Sequence, residues 1–376
     1  MSTPALTAAA NDFGHRPAGA LRVREVGGHT FEAGGHLPHV EIAYETWGRL
    51  NAAGDNVVLV AHALTGDSHV ATTEADPSPG WWEALVGPGR PVDTDRWFVV
   101  APAMVGGCYG STGPASADPD GRPWGSRFPF VTIRDAVRLE RRLLGALGVT
   151  RLQAVIGGSM GGARALEWAA TFPEMVAGVG VFACGAETTA EQIAFGQAQI
   201  KAIENDPDFA GGDYYGLRPP LQGLALARRI AHITYRSEQE LGFRFGREKQ
   251  GSEEPLGAAG RRTGRYQVES YLDHQATKLI SRFDPNAYLV VAEALISHDV
   301  GRGRGGAARA LGRVAARPLI VAVDSDRLYL PAQSEELARM IPGDHRVRMI
   351  SSPIGHDGFL TSAQQLGDEI RQVLRL

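Results

Sequence analysis

The chain has 376 residues, 43% of them apolar, and a formal net charge of −4. That length can bury a large core, either as one domain or as a core domain with an insertion. The near-balanced charge gives no electrostatic case for nucleic acid or for an anionic membrane surface. Two cysteines, Cys108 and Cys184, cannot build a disulfide-rich scaffold. The 47 glycines show no period, which excludes collagen-like and solenoid architectures. The first residues, MSTPALTAAANDFGHRP, lack a basic segment followed by an apolar core. No apolar run reaches the roughly 18 residues of a membrane span. The expectation is a cytoplasmic protein with no membrane partner, in which residues 1–20 form a flexible arm.

In chain order, residues 39–47 (HVEIAYETW) partly alternate and predict a strand. Residues 56–61 (NVVLVA) predict a strand buried in a largely parallel sheet. Residues 62–91 are too rich in Gly, Pro and small polar residues for a long helix, although 81–85 can form one turn. A second buried strand is predicted at 96–101, followed by a Gly/Pro-rich loop over 106–130. Residues 131–147 fit a helix with Thr132 as N-cap and Asp135 three residues on. Strands are expected at 152–156 and 176–182, with a helix between them that ends near Pro173. This alternation predicts an α/β sheet covered on both faces.

The rhythm changes after Gly185. Residues 186–300 hold helical patterns at 189–205, 221–241 and 270–283, and a polar Gly-rich loop at 247–265, without a series of strands. Strand signals return at 318–323 (PLIVAV) and 346–350, and a last helix is expected at 362–374. The simplest organisation is an α/β core in two parts, 21–185 and 301–376, interrupted by a helical lid at 186–300. Two tandem domains are the alternative. An insertion is favoured because it lets late residues reach the early half of the sheet.

The strongest chemical signal is GGSMGG at 157–162, a G-x-S-x-G pattern between a strand and a helix. Such an elbow lifts a serine hydroxyl above the end of a sheet. Ser159 is therefore the candidate nucleophile. The competing reading, a glycine-rich turn or phosphate cradle, lacks the Gly-Lys-Ser/Thr of a P-loop. A serine nucleophile needs a base, and the base needs an acid to orient it. His356, in SPIGHDGFL, follows a strand and precedes the last helix. Asp326 follows the 318–323 strand and completes the order Ser, Asp, His. Asp324 is a rival acid that could instead hold a loop amide. Oxyanion donors are expected from the amide of Met160, next after the serine, and of Leu64, in the loop after an early strand. His62 and His69 lie in that loop without the spacing of H-E-x-x-H, and Cys108 has no ligand cluster, so no metal is expected.

Many segments together resemble the homoserine O-acyltransferases, in particular the homoserine O-acetyltransferases, of the α/β-hydrolase superfamily. They include HALTGDSHV (62–70), GPGRPVDTDRWF (87–98), GGCYGSTGP (106–114) and GGSMGGARALEWA (157–169). GLALARRIAHITYRS (223–237), VESYLDHQ (268–275), RFDPNAY (282–288), SHDVGRGRGG, SDRLY and GHDGFL continue it. The likeness runs from about residue 35 to the C-terminus. It implies an α/β-hydrolase fold with a helical lid and a two-step transfer. Ser159 takes an acetyl group from acetyl-CoA and passes it to the hydroxyl of L-homoserine, in methionine biosynthesis. It also implies that Arg228 faces the homoserine carboxylate, that Asp357 holds its amino group and that Tyr235 enters the site from the lid. A homodimer and the absence of a tightly bound cofactor are implied as well.

Each implied role has a plainer alternative. Arg228 sits beside Arg229 and could be a helix-surface residue, Tyr235 could pack the lid, and Asp357 could cap the last helical region. Arg302 and Arg304 could touch coenzyme A phosphates or belong to a packed loop. An O-succinyltransferase acting on homoserine or serine, a serine ester or thioester hydrolase, and a non-catalytic binding module are the competing functions.

Overall fold

The computed structural model describes residues 20–257 and 263–374. The arm expected over 1–20 lies outside the described residues except for Ala20. Eight strands form one sheet: β1 (Arg22–Glu25), β2 (Glu41–Trp47), β3 (Val57–Ala61), β4 (Phe98–Pro102), β5 (Leu152–Gly158), β6 (Gly178–Phe182), β7 (Arg317–Val323) and β8 (Arg348–Ile350). Their spatial order is β1-β2-β4-β3-β5-β6-β7-β8. β2 runs antiparallel to β1 and β4, and every other pairing is parallel.

The central strands are continuous apolar runs because both faces are covered. On β3, Val57, Leu59 and Ala61 join one core, and Val58 and Val60 join the other. The first core is closed by α1 (Ile133–Ala146) and α2 (Met160–Thr171). α1 starts where the sequence placed it. The Thr132 hydroxyl accepts from the Asp135 amide, and the Asp135 carboxylate accepts from the Thr132 amide.

Between β6 and β7 the described chain carries six α-helices: α3 (Ala190–Glu204), α4 (Leu221–Tyr235), α5 (Glu238–Phe245), α6 (Gln267–Ile280), α7 (Pro285–Ile296) and α8 (Ala307–Leu311). The single helix expected over 221–241 is two. Arg236 turns extended at φ −109°, ψ 140°. The Ser237 amide donates to the Ile354 carbonyl, and the Ser237 hydroxyl accepts from the Glu240 amide to start α5. A tertiary bond outside the helix thus overrides local periodicity, and it ties this corner to the loop around His356.

After β7 come α9 (Pro331–Met340), α10 (Gly358–Thr361) and α11 (Ala363–Leu374). Leu366, Ile370 and Val373 of α11 close the second core. β1 was absent from the expectations because it is an edge strand, RVRE, exposed at all four positions. Among the described residues no helix is long and apolar enough to cross a membrane.

Candidate active site

Ser159 stands between β5 and α2 at φ 56°. That is the left-handed region, where a side chain costs about 1–3 kcal/mol unless the surroundings over-determine it. Here they do. A Cβ on Gly161 would fall 2.1 Å from the Ala61 carbonyl oxygen, and one on Gly157 would fall 2.5 Å from the Gly161 carbonyl. Only glycine lets the elbow seat this tightly against the end of β3. Ser159 occupies the N-cap position of α2, yet its hydroxyl makes no capping bond. The side chain is therefore not consumed by the helix.

The loops after β7 and β8 bring the other two candidates together. The protonated His356 Nδ1 donates to Asp326 Oδ2 at 2.7 Å, and both side chains are buried. Asp326 Oδ1 accepts the amides of Leu328 and Tyr329 at 2.8 and 2.9 Å, so the carboxylate is held from both sides. Nε2, the opposite nitrogen of His356, is buried and has no hydrogen-bond partner among the described residues. Burial works against the imidazolium, but the charge and hydrogen bond of Asp326, helped by Asp357, outweigh it and raise the His356 pKa above 6.5. The Tyr329 ring stacks on the imidazole at 5.3 Å and Phe359 meets it edge-on at 5.5 Å. Asp324 is occupied elsewhere: its carboxylate accepts from the Ser351 hydroxyl and the Ser352 amide.

Met160 is the first residue of α2, where the helix offers its amide no internal acceptor. Leu64 is buried in the loop after β3, and among the described residues its amide donates to no backbone acceptor. Both amides are thus available to an oxyanion.

The remaining candidates lie where the α4–α5 corner meets the His356 loop. Tyr235 is the last residue of α4, and its ring centre is 5.8 Å from that of His356. Burial pushes its phenol up to about 12. The Arg228 guanidinium lies 5.8 Å from the Tyr235 ring centre and donates to the Thr65 hydroxyl at 3.3 Å. Its Nε is buried and has no partner among the described residues. Arg229, one residue on, is instead paired with Asp273. Asp357 precedes α10 but makes no side-chain cap. It faces Arg236 at 3.3 Å, and burial raises its pKa against the pull of Arg236, His356 and Arg228. Arg236 and Tyr329 were not singled out from sequence. The cue to both was their place in the family-like segments GLALARRIAHITYRS and SDRLY.

Other conspicuous residues are accounted for by packing. Arg304 pairs with the buried Glu167 through both terminal nitrogens, and Arg302 bonds Glu32 and the Ser297 carbonyl. His69 is buried against Glu45 at 2.8 Å. Burial raises the Cys108 thiol far above its ordinary value. Among the described residues no group of three or more His, Cys, Asp or Glu could hold a metal ion. A cavity of about 50 Å³ adjoins the site between Leu64, Tyr235 and Tyr329. Phe195, Leu295 and Ile296 close it, and no cationic side chain lines it.

The family described as alpha/beta hydrolase fold matches residues 56–363. A homoserine O-acetyltransferase of Thermobifida fusca is 57% identical over 348 residues, covering 91% of this chain and 90% of that protein. The chain belongs to the homoserine O-acetyltransferase family. Among solved structures, the homoserine O-acetyltransferase from Bacillus anthracis superposes with a TM-score of 0.87 at 26% identity, covering 95% of this chain and 98% of that one. Esterase E22 superposes equally well, with a TM-score of 0.86 at 28% identity over 94% of this chain and 99% of that one. The homoserine O-acetyltransferase fold is thus shared with esterases, and backbone likeness alone does not separate transfer from hydrolysis.

Proposed function

We propose that the protein transfers acetyl from acetyl-CoA to the side-chain hydroxyl of L-homoserine, the acetylation step of methionine biosynthesis. In the first half-reaction Ser159 Oγ attacks the thioester carbonyl while His356 Nε2 takes its proton. The Leu64 and Met160 amides stabilise the tetrahedral oxyanion. Collapse breaks the C–S bond, and His356 returns the proton to the departing thiolate, leaving acetyl-Ser159 and free coenzyme A. In the second half-reaction the homoserine hydroxyl attacks the acyl-enzyme and gives its proton to His356. Ser159 leaves as the alkoxide and recovers that proton. Asp326 holds the imidazole tautomer and offsets its charge throughout. Coenzyme A is a carrier substrate, for which the protein supplies placement and exclusion of water.

The observation that carries transfer over hydrolysis is the charge arrangement around Tyr235. Arg228 and Asp357 bring opposite charges to the surroundings of the catalytic base. Water needs neither, whereas an amino-acid acceptor carries a carboxylate and an ammonium at fixed separation. An arginine fork suits the carboxylate, and Asp357 suits the ammonium. The adjoining cavity offers a second carboxylate no cation among the described residues, which supports acetyl over succinyl. The same reading carries a cytoplasmic homodimer. Leu226 and Ile233, seven residues apart on α4, are exposed apolar side chains suited to an interface.

The test is release of coenzyme A from acetyl-CoA with and without L-homoserine. Homoserine should raise the rate by more than about tenfold, with succinyl-CoA and L-serine as poor substitutes. Equal release without acceptor would make the protein a thioesterase.

A further inference from the structure

The loop after β3 carries a histidine that the chemistry above does not use. His62 is buried two residues ahead of Leu64. Its Nε2 accepts the Met104 amide at 3.0 Å, so Nε2 is the bare nitrogen and Nδ1 bears the proton. Nδ1–H donates to the Ala63 carbonyl oxygen at 2.8 Å. Burial, and next the charge of Arg164, pull the imidazole pKa down to about 3, so the ring is neutral with one tautomer near neutral pH. The same Ala63 oxygen also accepts the Gly66 amide at 2.9 Å. Gly66 permits that turn, since a Cβ there would lie 2.9 Å from His62 Cβ.

Among the described residues no peptide is cis, so the Ala63 carbonyl and the Leu64 N–H project from opposite edges of one plane. Two donors grip the carbonyl edge and leave the amide edge without a backbone acceptor. If this peptide flipped, both bonds would break and a carbonyl oxygen would take the place of the Leu64 N–H. That would repel an oxyanion instead of stabilising it.

We propose that His62 is a positioning residue for acyl transfer. Its Nδ1–H clamps the Ala63 carbonyl and so aims the Leu64 amide at the oxyanion. The proposal rests on the assignment of Leu64 as an oxyanion donor. A purely structural histidine would matter instead for the Met104 amide, which is bonded at the other nitrogen. Two variants separate these roles. His62→Asn places an amide donor near the Nδ1 position and abandons Met104. His62→Gln reaches the Nε2 position and abandons Ala63.

The probe is a trifluoromethyl ketone analogue of acetyl-CoA, which forms a tetrahedral oxyanion adduct on serine. Free coenzyme A serves as the ground-state control. His62→Gln should weaken adduct formation by about 10²-fold, the usual cost of one oxyanion donor. His62→Asn should retain most of it, and coenzyme A affinity should change by less than about twofold in both. The reverse order, or parallel losses of adduct and coenzyme A affinity, overturns the proposal. A third variant carries a backbone ester at Leu64 in place of the amide. If the ester weakens the adduct and His62→Gln does not, only the role of His62 falls. If the ester has no effect, Leu64 is not a donor and the proposal falls with that assignment.

Discussion

The α/β core and the helices between β6 and β7 hold their parts of the site in opposite ways. In the core, Asp326 accepts three hydrogen bonds, His356 is stacked and buried, and the Ser159 backbone is forced into place by two glycines. Where the helical segment meets the core, the groups are under-satisfied. Among the described residues the buried Nε of Arg228 has no partner, and its guanidinium makes a single 3.3 Å bond to Thr65. Asp357, on the core loop after β8, is partly buried and meets Arg236 at 3.3 Å. Reacting groups gain from being fixed before substrate arrives. Recognition groups gain from unmet hydrogen-bonding capacity that only the right acceptor fills, because a buried polar group left unpaired costs about 1–3 kcal/mol. The same serine machinery can thus serve an esterase or a transferase, depending on what the surrounding groups recognise.

The largest expected effect lies in the core. Ser159→Ala should lower acetyl transfer by about 10⁴-fold or more, since triad members act as a unit. It should also abolish the acetyl adduct expected, by mass spectrometry, on the wild-type protein in the absence of acceptor. Activity retained within about tenfold would remove Ser159 from the mechanism.

Breaking the helical side should give a smaller and more selective loss. Arg228→Ala removes one member of a partly buried charged contact, an effect of about 2–5 kcal/mol in comparable recognition sites. The loss should appear in kcat/KM for homoserine, with the rate of Ser159 acetylation by acetyl-CoA nearly unchanged. Equal losses in both half-reactions would mean that Arg228 supports the fold or the donor site instead. The comparison of regions would then fail.

The sequence exposed these two regions unequally, for physical reasons. Ser159 and Asp326 follow strong apolar strands, and His356 lies in the loop after the last strand, so chain order fixes their side of the sheet. The elbow glycines carry a steric requirement that can be read locally. Nothing local marks Arg228 over Arg229, because both lie on one amphipathic helix. The salt bridge from Arg229 to Asp273, 44 residues away, leaves Arg228 facing the site. The break at Arg236 was equally hidden, since the bond that makes it comes from Ile354. Family likeness supplied what periodicity could not.

The mildest test concerns how two carboxylates of the core loops, Asp326 and Asp357, share the charge on His356. Burial alone would lower its pKa, Asp326 raises it by charge and hydrogen bond, and Asp357 adds a smaller upward push. The base works as the neutral imidazole, so activity should fall on the acid side with a midpoint above 6.5 in the free enzyme. Asp326→Asn should move the His356 titration, followed by NMR of the labelled imidazole, to lower pH because burial then dominates. Asp357→Asn should move it the same way by less. The sign for stability follows from the same shift. A histidine whose folded pKa exceeds its unfolded value adds stability that is fully present below the unfolded pKa of about 6.5 and lost as pH rises through the folded one. Asp326→Asn should therefore lower Tm more at pH 6 than at pH 9. A larger drop at pH 9 would mean that the carboxylate stabilises the loop through the Leu328 and Tyr329 amides rather than through the imidazolium, and would separate its structural from its catalytic work.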